Sequence, residues 1–464
     1  MIVLRFAAML ACAALVARPT FTSAQDMTAR DSATRDTTGA RTLSLGDAAR
    51  LAAAQSASAQ GARARTGQAA ARVREQEAAF LPSAGVAAQV REFTSNSATA
   101  LRFPPSPDAA SFNELLPPQG ILFPPIKDYE LQGRIQDTLF SFAAIRRYRT
   151  ARTSLGAAEA EADDAGEAAA GTAATTYLVV ERAIAHLAAR LADSALAANL
   201  LDIAQRQLTA GVGIQLDVTR AQAQVSSTRA QLIGARNEVN RDQLQLLRAL
   251  GLPLDTRLTL TDSLARLPVD TTLPPESEAI DRALRARPDL RAVDLQLQAA
   301  REGVSAARAA YLPTVSAFAQ DGSSAGTLGH ILPTYAWGIG VVVPVFDGFN
   351  IIGHVQEQRA VARELEVRRR DARQQAAIEV RTAYLDLAST RDQLDATHEQ
   401  LQLIQQQLDQ AEERFRAGVA GNADVIIASL ALNSARTQDI DALASYQTAR
   451  VTLARATATV TSLP

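Results

Sequence analysis

Residues 208–218 read LTAGVGIQLDV, and residues 415–425 read FRAGVAGNADV. Gly211 answers to Gly418, Val212 to Val419 and Asp217 to Asp424, each pair 207 residues apart. Outward from this match the same offset returns Leu246 to Ala249 as Leu453 to Ala456. Further upstream, Ala79-Phe80-Leu81-Pro82-Ser83 reappears as Ala310-Tyr311-Leu312-Pro313-Thr314, and Leu139-Phe140-Ser141 as Val345-Phe346-Asp347, at offsets of 231 and 206. The chain is therefore a duplication. The first copy carries about 25 extra residues between Pro82 and Phe140, the difference between those offsets. They are visible as Phe103-Pro104-Pro105-Ser106-Pro107, Leu116-Pro117-Pro118 and Phe123-Pro124-Pro125. That loop, 94–126, is one that no helix or central strand tolerates.

Between these landmarks the apolar residues recur by sevens. Leu387, Leu394, Leu401, Leu408 and Phe415 form one seam, and Val180, Leu187, Ser194, Leu201 and Leu208 its earlier copy. Val218, Val225, Leu232, Val239 and Leu246 form another. Its copy pairs Val425 and Leu432 with an alanine seam of Ala428, Ala435, Ala442, Ala449 and Ala456. Sustained heptads predict helices wound on one another with a left-handed twist. The segments 141–208 and 347–415 predict helices of roughly 70 residues, about 100 Å each at 1.5 Å per residue. Segments 44–80, 216–250, 276–311 and 422–460 predict helices about half as long, two of which match one long helix in height. Gly211 and Gly418 mark the ends of the long helices. Asp217 and Asp424 fall in the first turn of the returning ones, where a negative charge meets the helix dipole.

Four segments read as strands. Residues 129–136 alternate apolar with polar, and Tyr335, Trp337, Ile339, Val341 and Val343 alternate with small residues. Segments 83–93 and 314–320 are their partners, with Val86, Ala88 and Val90 on one face. Each has the length of a tilted membrane-spanning strand, and Tyr335 and Trp337 are candidate membrane-interface aromatics. Four strands are too few to close a barrel, so several chains must contribute.

Composition narrows the remaining choices. Of 464 residues 47% are hydrophobic but only 5% aromatic, which suits long, close-packed, alanine-rich helices. A net charge of −2 offers no field to hold nucleic acid. A single cysteine excludes a disulfide framework or a zinc ribbon. His186, His330, His354 and His398 are scattered, and no nucleophile or phosphate-loop motif is present, so neither catalysis nor a cofactor is expected. Met1 to Arg5, the apolar run 6–17 and Thr22-Ser23-Ala24 have the layout of a secretory signal peptide, 1–24. Apolar residues continue past Cys12, which places it inside that signal rather than at a lipid-attachment site. No later run is long and apolar enough for a transmembrane helix, so any membrane-spanning part must be a closed β-barrel.

The signal, the duplicated order of helix, hairpin, long helix and returning helix, the Pro-rich first loop and the junction Val343-Pro344-Val345-Phe346-Asp347-Gly348 together resemble the TolC-like outer-membrane efflux proteins. The resemblance covers about residues 44–460. It divides the chain into a polar linker 25–43, repeat one 44–250, an equatorial linker 251–275 and repeat two 276–464. It implies a mainly α fold with transmembrane β-structure: a homotrimer in which a 12-stranded outer-membrane barrel tops a 12-helix periplasmic α-barrel. It further implies a passive exit duct for a tripartite efflux or type I secretion system, working with a periplasmic adaptor protein and an inner-membrane pump. Gly211, Val212, Asp217, Gly418, Val419 and Asp424 would be the adaptor-docking tips. Asp409 and Glu412, three apart on one helix face, with Asp202 in the first copy, would be the periplasmic gate. Gln215 and Asn422 depart from the small hydroxylated residue that often starts the family's returning helices. An exported coiled-coil protein without a barrel, similar to a pump adaptor, is the alternative. Adaptors, however, carry one helical hairpin among β-rich domains, and this chain carries two.

Overall fold

The computed structural model describes residues 41–94, 125–269, 274–327, 331–417, 419 and 421–463. The signal peptide at 1–24 lies outside them, as does nearly all of the Pro-rich loop. In chain order the elements are β1 (Arg41–Leu43), α1 (Leu45–Gln55), α2 (Ala57–Glu77), β2 (Ser83–Phe93), β3 (Ile126–Ser141), α3 (Phe142–Thr209) and α4 (Gln215–Leu250). Then follow β4 (Leu258–Leu260), α5 (Glu276–Ala286), α6 (Pro288–Ala309), β5 (Thr314–Ala325), β6 (Leu332–Val342), α7 (Asn350–Arg416) and α8 (Asn422–Ala456). They fall into two units, one around the larger sheet (71–152 and 299–361) and one helical (41–70, 153–298 and 362–463).

The sheet unit holds four antiparallel strands in the order β2-β3-β5-β6, so the two hairpins lie side by side through the β3–β5 pairing. Strands β2 and β6 are its open edges. The strand expected at 129–136 runs over 126–141, and that expected at 314–320 continues to Ala325. The β5 extension is a Ser-, Asp- and Gly-bearing stretch with weak strand preference, shared by Asp128, Asp137 and Ser141 in the β3 extension; pairing with a neighbour overrides it. A register shift between Asp137 and Phe140 kinks β3 just before α3 begins.

In the helical unit the heptad seams pack. Leu200, Leu408, Phe415, Val425, Ala428 and Leu432 form one buried cluster of α3, α7 and α8, and Leu387, Tyr446 and Ala449 another. Ala204, Val218 and Ala221 close α3 onto α4. The largest cluster gathers Leu43, Tyr177, Leu178, Val180, Leu246, Leu250 and Leu264. Here β1 pairs in parallel with β4, a contact that the sequence did not announce because each strand has three residues. Tyr177 Oη donates to Leu43 O (3.1 Å), and Asp262 Oδ2 accepts from the Leu45 N–H (2.7 Å). Glu181 is 4% exposed nearby. Gly251 ends α4 with φ 70°, and any Cβ there would fall 2.4 Å from Gln55 O, so only glycine fits.

Higher along α3 a polar knot interrupts the apolar seam. The Asp193 side chain is 1% exposed and pairs with Arg190 (3.2 Å) and Arg436 (3.4 Å). The Asn433 amide, turned with its nitrogen toward the acid, donates to Asp193 Oδ2 (3.1 Å). Arg436 also donates to Gln405 Oε1 (3.3 Å), tying α7 to α3 and α8. Burial raises the Asp193 carboxyl above its ordinary range, and the two guanidiniums pull it back.

Two helices expected to be continuous are broken. The segment 44–80 splits at Ser56, whose backbone is extended (ψ 150°) and whose Oγ accepts the Ala59 N–H (3.3 Å). The segment 276–311 splits at Arg287-Pro288: proline offers no N–H, and it pushes Arg287 into an extended conformation. The long helices count 68 and 67 residues, as their spacing predicts.

Candidate functional site

Residues directly opposite one another in an antiparallel ladder share a face, and successive residues alternate. The registers therefore assign every side chain of the larger sheet. Ala84, Ile135, Ala319 and Trp337 form one row across it, and Val86, Gly133, Asp321 and Tyr335 the next. The same face carries Ala88, Val90, Tyr129, Leu131, Val315, Ala317, Ile339 and Val341. Tyr335 and Trp337 are 80% and 76% exposed on it. Its acids are Asp321, Asp137 beside the bulge, and Glu92 next to Lys127 at the hairpin end. An 11-residue strand tilted by about 45° rises roughly 25 Å, the height of a barrel's apolar band.

The opposite face is polar: Gln89, Arg91, Asp128, Glu130, Gln132, Arg134, Gln136, Ser316, Gln320 and Ser324. Arg91 pairs with Asp128 (3.0 Å), Ser324 Oγ donates to Asp128 Oδ1 (3.1 Å), and the Gln89 amide donates to Glu130. The Arg134 guanidinium lies 6.0 Å over the Phe318 ring, which covers Gly338. Two arginines and two acids leave this face formally neutral.

At the tips, α3 ends on Gly211 in the left-handed conformation (φ 76°), and the Val212 and Gly213 N–H groups both donate to Gln207 O. Val212 and Val419 project, 80% and 73% exposed. Gly418 lies outside the described residues. Asp217 and Asp424 sit in the first turns of α4 and α8. Asn422, fully buried, donates through Nδ2 to Asp217 O (3.3 Å), so the two returning helices are joined at their starts. In the sequence Asn422 is visible only as a departure from a pattern; the reach of its amide is what joins the two helix starts.

The three candidate gate acids are not bare. Asp202 pairs with Arg206 (2.7 Å) and Glu412 with Arg416 (2.7 Å), each one turn along its own helix, and Asp409 Oδ1 accepts from the Gln405 amide (3.1 Å). The described histidines each face one acid: His186 with Asp441 (3.0 Å), His354 with Glu357 (3.1 Å) and His398 with Asp439 (3.6 Å). Among the described residues no group of three or more such side chains is placed to hold a metal, and no helix is long and apolar enough to cross a membrane.

Comparison with known proteins places this geometry. Residues 48–252 and 279–459 match the family described as Outer membrane efflux protein. A probable efflux pump outer membrane protein of Pseudomonas putida, TtgC, is 27% identical over 265 residues, 55% of this chain and 53% of that one. The chain thus spans about half the length of the curated relatives it matches. In structure, the chain is similar to the outer membrane protein VceC of Vibrio cholerae, with TM-score 0.69 and 20% identity over 89% of this chain and 95% of that one. It is also similar to the CmeC outer membrane channel of Campylobacter jejuni, with TM-score 0.72 and 18% identity over 89% and 85%. These likenesses carry the fold, and a one-hairpin adaptor does not fit it. With segments of both repeats matched, the chain belongs to the outer membrane efflux protein family.

Proposed function

We propose that the protein is the outer-membrane exit duct of a tripartite efflux or type I secretion system. Three copies close their sheets into a 12-stranded barrel and their helices into a periplasmic tunnel, and substrate passes through without chemistry. The observation that carries this reading is the two-faced sheet with both edges open. One face suits lipid and the other water, and strands β2 and β6 can pair only with another copy. Antiparallel closure is available because β2 and β6 run in opposite directions. The substrate would be delivered by an inner-membrane pump through a periplasmic adaptor seated on the tips around Val212 and Val419. The gate would lie near the ends of α3 and α7, where Asp202 and Glu412 each pair with an arginine one turn on and Asp409 accepts from Gln405.

The test is to extract the mature chain from outer-membrane fractions in mild detergent, image it, and insert it into planar bilayers. Threefold tubes that conduct ions are expected. Soluble monomeric rods that never fractionate with outer membrane, or particles without conductance after the tips are opened by adaptor, would overturn the duct.

A further inference from the structure

The turn between β6 and α7 carries an anomaly. Phe349 has φ 68°, directly after Gly348 at φ 69°. A bulky side chain in the left-handed region is an outlier that costs about 1 kcal/mol or more. Among the described residues its only ring contact is Phe346, at 5.6 Å edge-to-face, and Phe346 is itself 76% exposed. Val345 is 95% and Phe349 67% exposed. The turn's one charge is directed away: the Asp347 carboxylate accepts the Ile351 N–H (2.7 Å) and caps α7. What projects is therefore apolar, and among the described residues only the Phe346 ring packs against the strained Phe349 side chain.

Position supplies the occupant. Tyr335, Trp337, Ile339 and Val341 line the apolar face of β6, and Val343 and Val345 continue that alternation past the strand's end at Val342. The equivalent turn of the first repeat is apolar too, with Leu139, Phe140 and Phe142 exposed and the two phenylalanines 4.6 Å apart. That turn has no residue in the left-handed region. We propose that Val345, Phe346 and Phe349 form a lipid anchor, inserted among the acyl chains of the nearer leaflet, and that lipid contact holds Phe349 in its left-handed conformation. This rests on the outer-membrane reading above. A backbone kept strained for an exposed ring is what a membrane-inserted side chain would select.

The single tryptophan makes a direct test possible. The full chain is reconstituted in vesicles of brominated phosphatidylcholine, whose bromines quench only fluorophores that touch lipid. Trp337 of the unchanged protein reports the barrel. The double variant Trp337→Phe, Phe349→Trp reports the turn, and Trp337→Phe, Val345→Trp does so without touching the strained position should the first fail to fold. The expected result is a loss of fluorescence at the turn at least as large as at Trp337, with no further loss on adding iodide. If Trp337 is quenched and both turn tryptophans are not but are quenched by iodide, the turn faces water and the anchor is overturned while the barrel stands. If the turn escapes both quenchers, protein covers it, and the anchor is again overturned. If Trp337 itself escapes bromine, the membrane reading has failed and the anchor with it.

Discussion

Glu181 and Asp193 are the two most deeply buried acids described, and they differ in what faces them. Desolvation lifts the Glu181 carboxyl to about 7; the Leu264 N–H opposes this and the Asp262 carboxylate adds to it. The folded state thus holds a proton that the unfolded state releases near 4.5, and stability falls as pH rises from there through 7. Glu181→Gln is expected to flatten that slope and to raise stability by about 1–3 kcal/mol above pH 7. Thermal unfolding of the detergent-solubilised protein from pH 4 to 8 checks it, and an unchanged slope would remove Glu181 from the account. Asp193 instead has two guanidiniums against it. Asp193→Ala strands them and is expected to cost about 3 kcal/mol, read as a lowered urea midpoint. Neither acid stood out in the sequence. Both sit in alanine-rich helix where heptad counting assigns no role to an acid, and burial depends on which strap or helix crosses over.

At the scale of elements, the regular parts were legible and the interruptions were not. Leu387, Leu408 and Phe415 are buried as their sevenfold spacing requires, since a period repeated at five successive positions outweighs any single residue. Pro288 was visible and should have marked the break in 276–311; Ser56, amid alanine and serine, leaves no such mark. Strand ends were short by several residues because Asp128, Ser323 and Ser324 are strand residues only by virtue of their partners. The sheet's two faces make a sharp prediction. Ile339→Arg, on the apolar face, is expected to cost about 2–4 kcal/mol of membrane stability and to lower the yield of heat-modifiable trimer. Gln132→Arg, on the polar face, leaves that yield unchanged; equal losses from both would reverse the assignment of faces. For the tips, Val212→Asp with Val419→Asp is expected to abolish crosslinking to the adaptor while single-channel conductance persists.

In the proposed assembly, the polar face would fix what kind of hole it lines. Arg91 and Arg134 balance Asp128 and Glu130 in each chain, so the barrel segment is expected to discriminate weakly between potassium and chloride. Arg91→Glu with Arg134→Glu replaces two positive charges with two negative ones per chain and should move the reversal potential in a salt gradient several-fold toward cation selectivity. An unmoved potential would place those side chains outside the conducting path. Stoichiometry is the one property of this scale that no residue spells out. Four strands and two open edges call for partners, and the count of three belongs to the proposed duct.

The knot around Asp193 has a further consequence. A seam written in alanine and leucine every seven residues is nearly indifferent to a slip of one heptad, because each apolar residue meets another of its kind after the shift. A buried carboxylate answered by Arg190 on its own helix and by Asn433 and Arg436 on α8 is satisfied at a single setting. It works as a detent: α8 cannot ratchet along α3 without leaving a charge alone in the interior. In the proposed duct, any motion that admits cargo must therefore leave that point fixed, as blades of a pair of shears turn about their rivet.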